Sequence, residues 1–167
     1  MIVNYYKLTS DVPDPIIATK DSACYDLHYS GDGVTVIEGF NKYNAPVNRQ
    51  LDMLKDFTIY PGERLLVPTG LIFDIPSGYS MRIHPRSGIS LKQGLILANC
   101  EGVIDADYKN PVYMIIVNTS EEMITVRNNT RLCQAEIVPV PKFVLMITHE
   151  KPERTTDRNG GFGSTGT

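Results

Sequence analysis

The chain is short of positive charge. Its 16 Lys and Arg face 19 Asp and Glu, for a net charge of −3 and a pI of about 5.6. No broad basic surface can form, so nucleic acid is not expected as a partner and any anion site must be local. Long apolar runs are missing too. None approaches the roughly 20 residues of a membrane span, so no membrane segment is expected. The first residues, M-I-V-N-Y-Y-K-L, have no basic n-region, apolar h-region or cleavage site. The expectation is a protein of the cytoplasm, or of the nucleus or a host cytosol, that is not secreted. Cysteine is scarce: Cys24, Cys100 and Cys133 are odd in number and far apart. That fits neither a disulfide framework nor a zinc pattern, and small buried apolar residues in a reducing compartment are expected. There is no G-x-x-x-x-G-K-[ST], which excludes a P-loop. There is no H-x-E with P-C-x-x-C, which excludes a zinc nucleobase deaminase.

Helical periodicity is nearly absent. Residues 30–56 read as an insertion, and only there do Val47, Leu51 and Leu54 fall at i, i+4 and i+7 behind Pro46. That spacing predicts a short amphipathic helix with proline near its start. Elsewhere short strands alternate with turns. Strands are expected at 2–8, 57–60, 65–67, 71–75, 79–83, 95–98, 112–117, 123–126, 132–140 and 143–148. The cleanest is 79–83, where Tyr79, Met81 and Ile83 alternate with Ser80 and Arg82. Turn signals such as Pro61-Gly62 and Pro76-Ser77-Gly78 separate them, and 13 Gly and 11 Pro suit many tight turns. The pattern is that of an all-β sandwich or barrel-like domain. From about His149 the chain turns polar and glycine-rich. Its G-x-G-x-x-G at 161–166 follows no strand and precedes no helix, so it is not a dinucleotide fingerprint. A disordered tail and a lid that orders on a bound anion both remain open.

Residues 99–108, N-C-E-G-V-I-D-A-D-Y, mix strand chemistry with site chemistry. Val103 and Ile104 favour extended backbone, and Asp105 and Asp107 share a face if it continues. The expected form is a hairpin-like feature carrying a carboxylate and the Tyr108 ring into a cleft. Spacing alone equally allows a surface turn with solvated acids. Arg86 offers a fixed fork of donors suited to phosphate oxygens, with Ser87 and the following N–H groups beside it. A plain surface arginine stays open as well. Ser87 has no adjacent base and is a poor nucleophile candidate. His84 reads as a packed or solvated strand-end histidine, and Asp26 as a strand-end acid.

Together these stretches resemble, in order, the five motifs of the trimeric dUTPases (deoxyuridine triphosphate pyrophosphatases). They are A-C-Y-D-L at 23–27, P-R-S-G at 85–88, N-C-E-G-V-I-D-A-D-Y at 99–108, R-L-C-Q at 131–134 and G-G-F-G-S-T-G at 160–166. P-G-E-R at 61–64 and V-P-T-G at 67–70 are also typical of that family. The resemblance covers nearly the whole chain except 30–56. It implies an all-β, jelly-roll-like (β-clip) homotrimer with shared active sites and a short helix or two. It also implies a β domain over 1–148 and a flexible C-terminal arm over 149–167 that closes on the site.

The implied reaction is Mg²⁺-dependent hydrolysis of dUTP to dUMP and pyrophosphate, which keeps uracil out of DNA and supplies dUMP. The resemblance makes Asp105 the base that activates water. It assigns Asn99 and the backbone at Val103 and Ile104 to uracil, and Tyr108 to the deoxyribose. Arg86, Ser87, Gly88 and Gln134 would hold the phosphates. Arg158, Phe162 and Gly163 would close over the nucleotide. Asp26 would touch the metal's water shell or hold Arg86, with Mg²⁺ carried mainly by phosphates and water. Three departures stand out. Cys24 replaces a usual glycine, Glu101 places a charge near the pocket, and Arg158 stands one residue closer than usual to the glycines. A dCTP deaminase on the same fold and a dUTP-binding regulator, with a partner on insertion 30–56, are the alternatives.

Overall fold

The computed structural model describes residues 2–157. Alternation of apolar and polar residues gives fourteen strands and one short helix among them. In order these are β1 (Asn4–Lys7), β2 (Ile16–Ile17), β3 (Tyr25–His28), β4 (Val36–Phe40), β5 (Pro46–Gln50), β6 (Phe57–Ile59) and β7 (Arg64–Pro68). There follow β8 (Leu71–Asp74), β9 (Tyr79–Pro85), helix α1 (Ser87–Gln93), β10 (Leu95–Leu97), β11 (Gly102–Ile104), β12 (Tyr113–Asn118), β13 (Ile124–Val126) and β14 (Arg131–Pro139). No helix among the described residues is long and apolar enough to cross a membrane.

Two five-stranded sheets form the body, in the orders β10-β12-β7-β4-β5 and β11-β9-β14-β3-β2. Two-stranded ribbons, β1-β8 and β13-β6, complete it. Every pairing is antiparallel. The sheets are open, so the expected all-β, jelly-roll-like architecture takes the sandwich form. Both sheets supply one core, with Leu27, Met81, Ile83 and Leu132 from one and Ile37, Leu65, Val67, Met114 and Ile116 from the other. At its edge the Tyr29 and Phe57 rings meet edge-on, with centroids 4.8 Å apart, a geometry that ring quadrupoles favour.

The predicted helix at 46–54 is not formed. Pro46 opens β5, which pairs with β4 from Phe40↔Pro46 to Val36↔Gln50. A proline costs little there, because β5 is the sheet's edge and one side of it needs no donor. Leu54, predicted for the apolar face, is 74% exposed. Residues 30–56 are also no appendage. β4 pairs with β7, Ile37 is in the core, and buried Asp32 binds the Lys55 ammonium. The most crowded glycine among the described residues lies here: a Cβ on Gly39 would collide with the Arg64 carbonyl and sit 2.9 Å from Leu65 Cα.

Two further expectations are corrected. Residues 99–108 form no hairpin, because β11 pairs with β9 while β10 and β12 lie in the other sheet. The predicted strand at 143–148 is irregular. Its apolar side chains Phe143, Val144, Leu145, Met146 and Ile147 are 80% to 96% exposed. The cysteines divide: Cys133 is buried as expected, Cys24 half-buried and Cys100 exposed.

Candidate active site

Strand β9 ends at Pro85, and the next residue, Arg86, turns the chain into α1 with extended backbone (φ −95°, ψ 128°). The helix stops at Gly94 in the left-handed region (φ 69°), where its N–H donates to the Ser90 carbonyl. This short turn sets Arg86, Ser87 and Gly88 beside the neighbouring strands β14 and β3. A cavity of about 620 Å³ opens there. Its lining includes Asp26, Arg86, Ser87, Gly88 and Gln134, so the first, second and fourth motifs meet at one place. Cys24, Ser22, Lys92 and Gln93 line it too.

The cavity floor is an ion cluster. Arg86 Nε lies 2.9 Å from Asp26 Oδ1, and Arg131 Nη1 donates to Asp26 Oδ2 at 3.1 Å. Arg86 Nη1 also donates to the Arg131 carbonyl at 2.9 Å. Gln134 Nε2 donates to the Pro85 carbonyl at 3.0 Å. Asp26 is buried, and its two oxygens each hold a guanidinium. One negative and two positive charges leave the cluster with one positive charge in excess, which suits an anion. His28, two residues along β3, is also buried, and its Nδ1 has no partner among the described residues. Burial lowers its pKa, with Arg131 and Arg86 acting the same way and Asp26 opposing them. Burial also raises the Cys24 thiol, helped by the Glu136 and Asp26 carboxylates. Burial pushes Cys133 up to about 12. Neither cysteine is therefore an activated nucleophile.

The third motif lies elsewhere. Asn99, Val103, Asp105 and Tyr108 are exposed on the single chain, and Ile104 is half-buried. None of them lines the cavity. Asp105 and Asp107 do not continue β11. They lie in a turn closed by the Tyr108 N–H on the Asp105 carbonyl at 3.2 Å. Tyr108 Oη donates to the Pro111 carbonyl at 3.0 Å. Asp105 has no side-chain partner among the described residues. Arg158, Phe162 and Gly163 lie outside the described residues.

No group of three or more His, Cys, Asp or Glu among the described residues could hold a metal. Asp26 holds a guanidinium on each of its oxygens. Sequence reasoning gave Arg131 no role, although it stands inside R-L-C-Q. Only the register that pairs it with His28, across a bulge in β14, brings it to Asp26.

Comparison with known proteins gives the chain its family. Residues 50–166 match the family model described as dUTPase. The deoxyuridine 5'-triphosphate nucleotidohydrolase of Nautilia profundicola is 34% identical over 161 residues, covering 96% of this chain and 95% of its own. That of Rhizobium meliloti is 46% identical over 111 residues, covering 66% and 68%. The dUTPase of Staphylococcus bacteriophage 80alpha superposes with a TM-score of 0.76 over 99% of each chain at 20% identity, a likeness of fold. With its motifs in order and two-thirds of its length inside the family model, the chain belongs to the dUTPase family.

Proposed function

We propose that the protein hydrolyses dUTP to dUMP and pyrophosphate. The observation that carries this is the cavity where Asp26 fixes Arg86 and the charge balance favours an anion. Arg86, Ser87, Gly88 and Gln134 hold the phosphates. Asn99 and the backbone at Val103 and Ile104 pair with uracil, and Tyr108 packs on the deoxyribose. Asp105 takes a proton from water as that water's oxygen bonds to the α-phosphorus. The bond from the α-phosphorus to the bridging oxygen breaks, and pyrophosphate leaves with its electron pair. Arg158, Phe162 and Gly163 close over the bound nucleotide. The relatives' names favour hydrolysis over deamination.

The working unit in this reading is a trimer of identical chains. Two observations support it. The third motif does not line the phosphate cavity of its own chain. Residues 143–147 present five consecutive exposed apolar side chains, a surface that a second copy would cover. In this reading Mg²⁺ arrives with the triphosphate, because the described residues form no metal cluster and this hard ion favours phosphate oxygens and water. Its chemistry is to neutralise charge developing on the phosphates.

The test is pyrophosphate release from dUTP, dTTP, dCTP and UTP with Mg²⁺. Turnover confined to dUTP supports the reading, and ammonia release from dCTP would replace it. Asp105→Asn should lower kcat by a factor on the order of 100 to 10,000 yet still bind a non-hydrolysable dUTP analogue. Near-normal turnover in that variant would refute the base assignment.

A further inference from the structure

Glu101 stands at the mouth of the third motif, and the structure gives it two cationic or polar neighbours on one strand. Arg82 Nη1 lies 3.2 Å from its Oε2, and His84 Nδ1 lies 3.8 Å from its Oε1. The other His84 ring nitrogen is 3.1 Å from Glu136 on β14. The register explains the group. Val103 faces Arg82 on β9, and Arg82 faces Glu136 on β14, so the side chains stand in a row on the sheet's outer face. All four are partly exposed, which leaves the row salt-sensitive but not saturated by solvent.

The backbone beside Glu101 needs holding. Its N–H donates to the Asn99 carbonyl at 2.6 Å. That closes a three-residue turn on Cys100, whose φ is 63°. Such a turn is rare and unfavourable for a residue bearing a Cβ. It persists only where its surroundings fix both ends. One end is β10, through the Cys100 N–H on the Leu97 carbonyl at 3.1 Å. The other end is Glu101, tied to β9.

We propose that Glu101, tied to Arg82 with His84 beside it, is a positioning residue that sets the turn presenting Asn99 to the nucleobase. It touches no substrate. It acts by keeping the Asn99 amide and the β11 backbone in the geometry that reads the base, so binding suffers without it while the chemical step does not. This rests on the dUTP reading of the site.

The experiment compares wild type, Glu101→Gln, Arg82→Gln and the double variant Arg82→Gln/Glu101→Gln. It measures kcat and KM for dUTP and dTTP, with oligomer mass and Tm beside them. Each single variant should raise KM for dUTP about fivefold, the upper range for partly exposed ion pairs, with kcat within about twofold. Preference for dUTP over dTTP should narrow. The double variant should lose no more affinity than either single, because both singles break the same ion pair. An unchanged KM in Glu101→Gln overturns the proposal. So does a loss confined to kcat, or a double variant whose KM rises by the product of the two single changes at wild-type oligomer mass. A wild-type protein that releases no pyrophosphate from dUTP would instead remove the function and this inference together.

Discussion

Arg86 Nε sits 2.9 Å from Asp26 Oδ1 while Arg131 takes the other oxygen at 3.1 Å. One buried carboxylate therefore orients two guanidiniums. Asp26→Asn removes the charge and leaves both arginines uncompensated. The expected cost is about 3 kcal/mol of stability, near the low end for breaking a buried pair because Arg131 is half exposed. KM for dUTP should rise about tenfold, equivalent to roughly 1.4 kcal/mol. Urea denaturation and steady-state kinetics measure the two effects, and a variant with wild-type values of both would refute the anchoring role.

His28 should make stability depend on pH. Its folded pKa is lowered, chiefly by burial, then by Arg131. Below about 6.5 the unfolded chain binds a proton there that the folded chain refuses, so stability rises with pH across that window. The stability is present above about 6.5 and is lost as pH falls toward the lowered folded value. Denaturation of wild type and His28→Gln at pH 5.5 and 7.5 isolates this residue. The variant should lose less on acidification, and equal losses would show that His28 titrates alike in both states.

Gly39→Ala tests whether 30–56 belongs to the body. The new methyl would meet the Arg64 carbonyl and Leu65 at the β4–β7 contact. A cost of about 1–3 kcal/mol follows, as for other overpacked cores, read as a shift in the urea midpoint with an unchanged slope. A midpoint equal to wild type would mean that β4 separates from β7 without consequence.

Truncation after Lys151 removes Arg158, Phe162 and Gly163 but keeps the apolar run at 143–147. Turnover of dUTP should fall on the order of 100-fold, since in the proposed reading these residues close over the nucleotide. The mass of the assembly should hold. An unchanged rate would leave the glycine-rich segment without a part in the reaction.

Much of this was legible in the sequence where one face of a strand is buried. The alternation at 79–83 became β9 because Met81 and Ile83 have a core to face. Pro46 misled because proline opens helices and edge strands alike, and three apolar residues at helical spacing do not say which. The hairpin signal was the turn at 41–45, where Asn44 takes φ 61° and Asn41 Oδ1 accepts from the Tyr43 and Ala45 N–H groups. The run at 143–148 has strand composition but pairs with no strand among the described residues. In the site, P-R-S-G pointed to Arg86, which the structure places in the lining of the cavity. The resemblance also offered Asp26 as a holder of Arg86, but the part of Arg131 waited on the register of β14 against β3, which no local pattern encodes.

The separation of Asp105 from the cavity around Arg86 also bears on how damage is inherited. If one chain lends its acid to another chain's arginine, a chain lacking Arg86 and a chain lacking Asp105 are each inert alone. Mixed in one assembly, they rebuild an intact centre wherever the sound halves meet, so two crippled gene copies can yield a working enzyme.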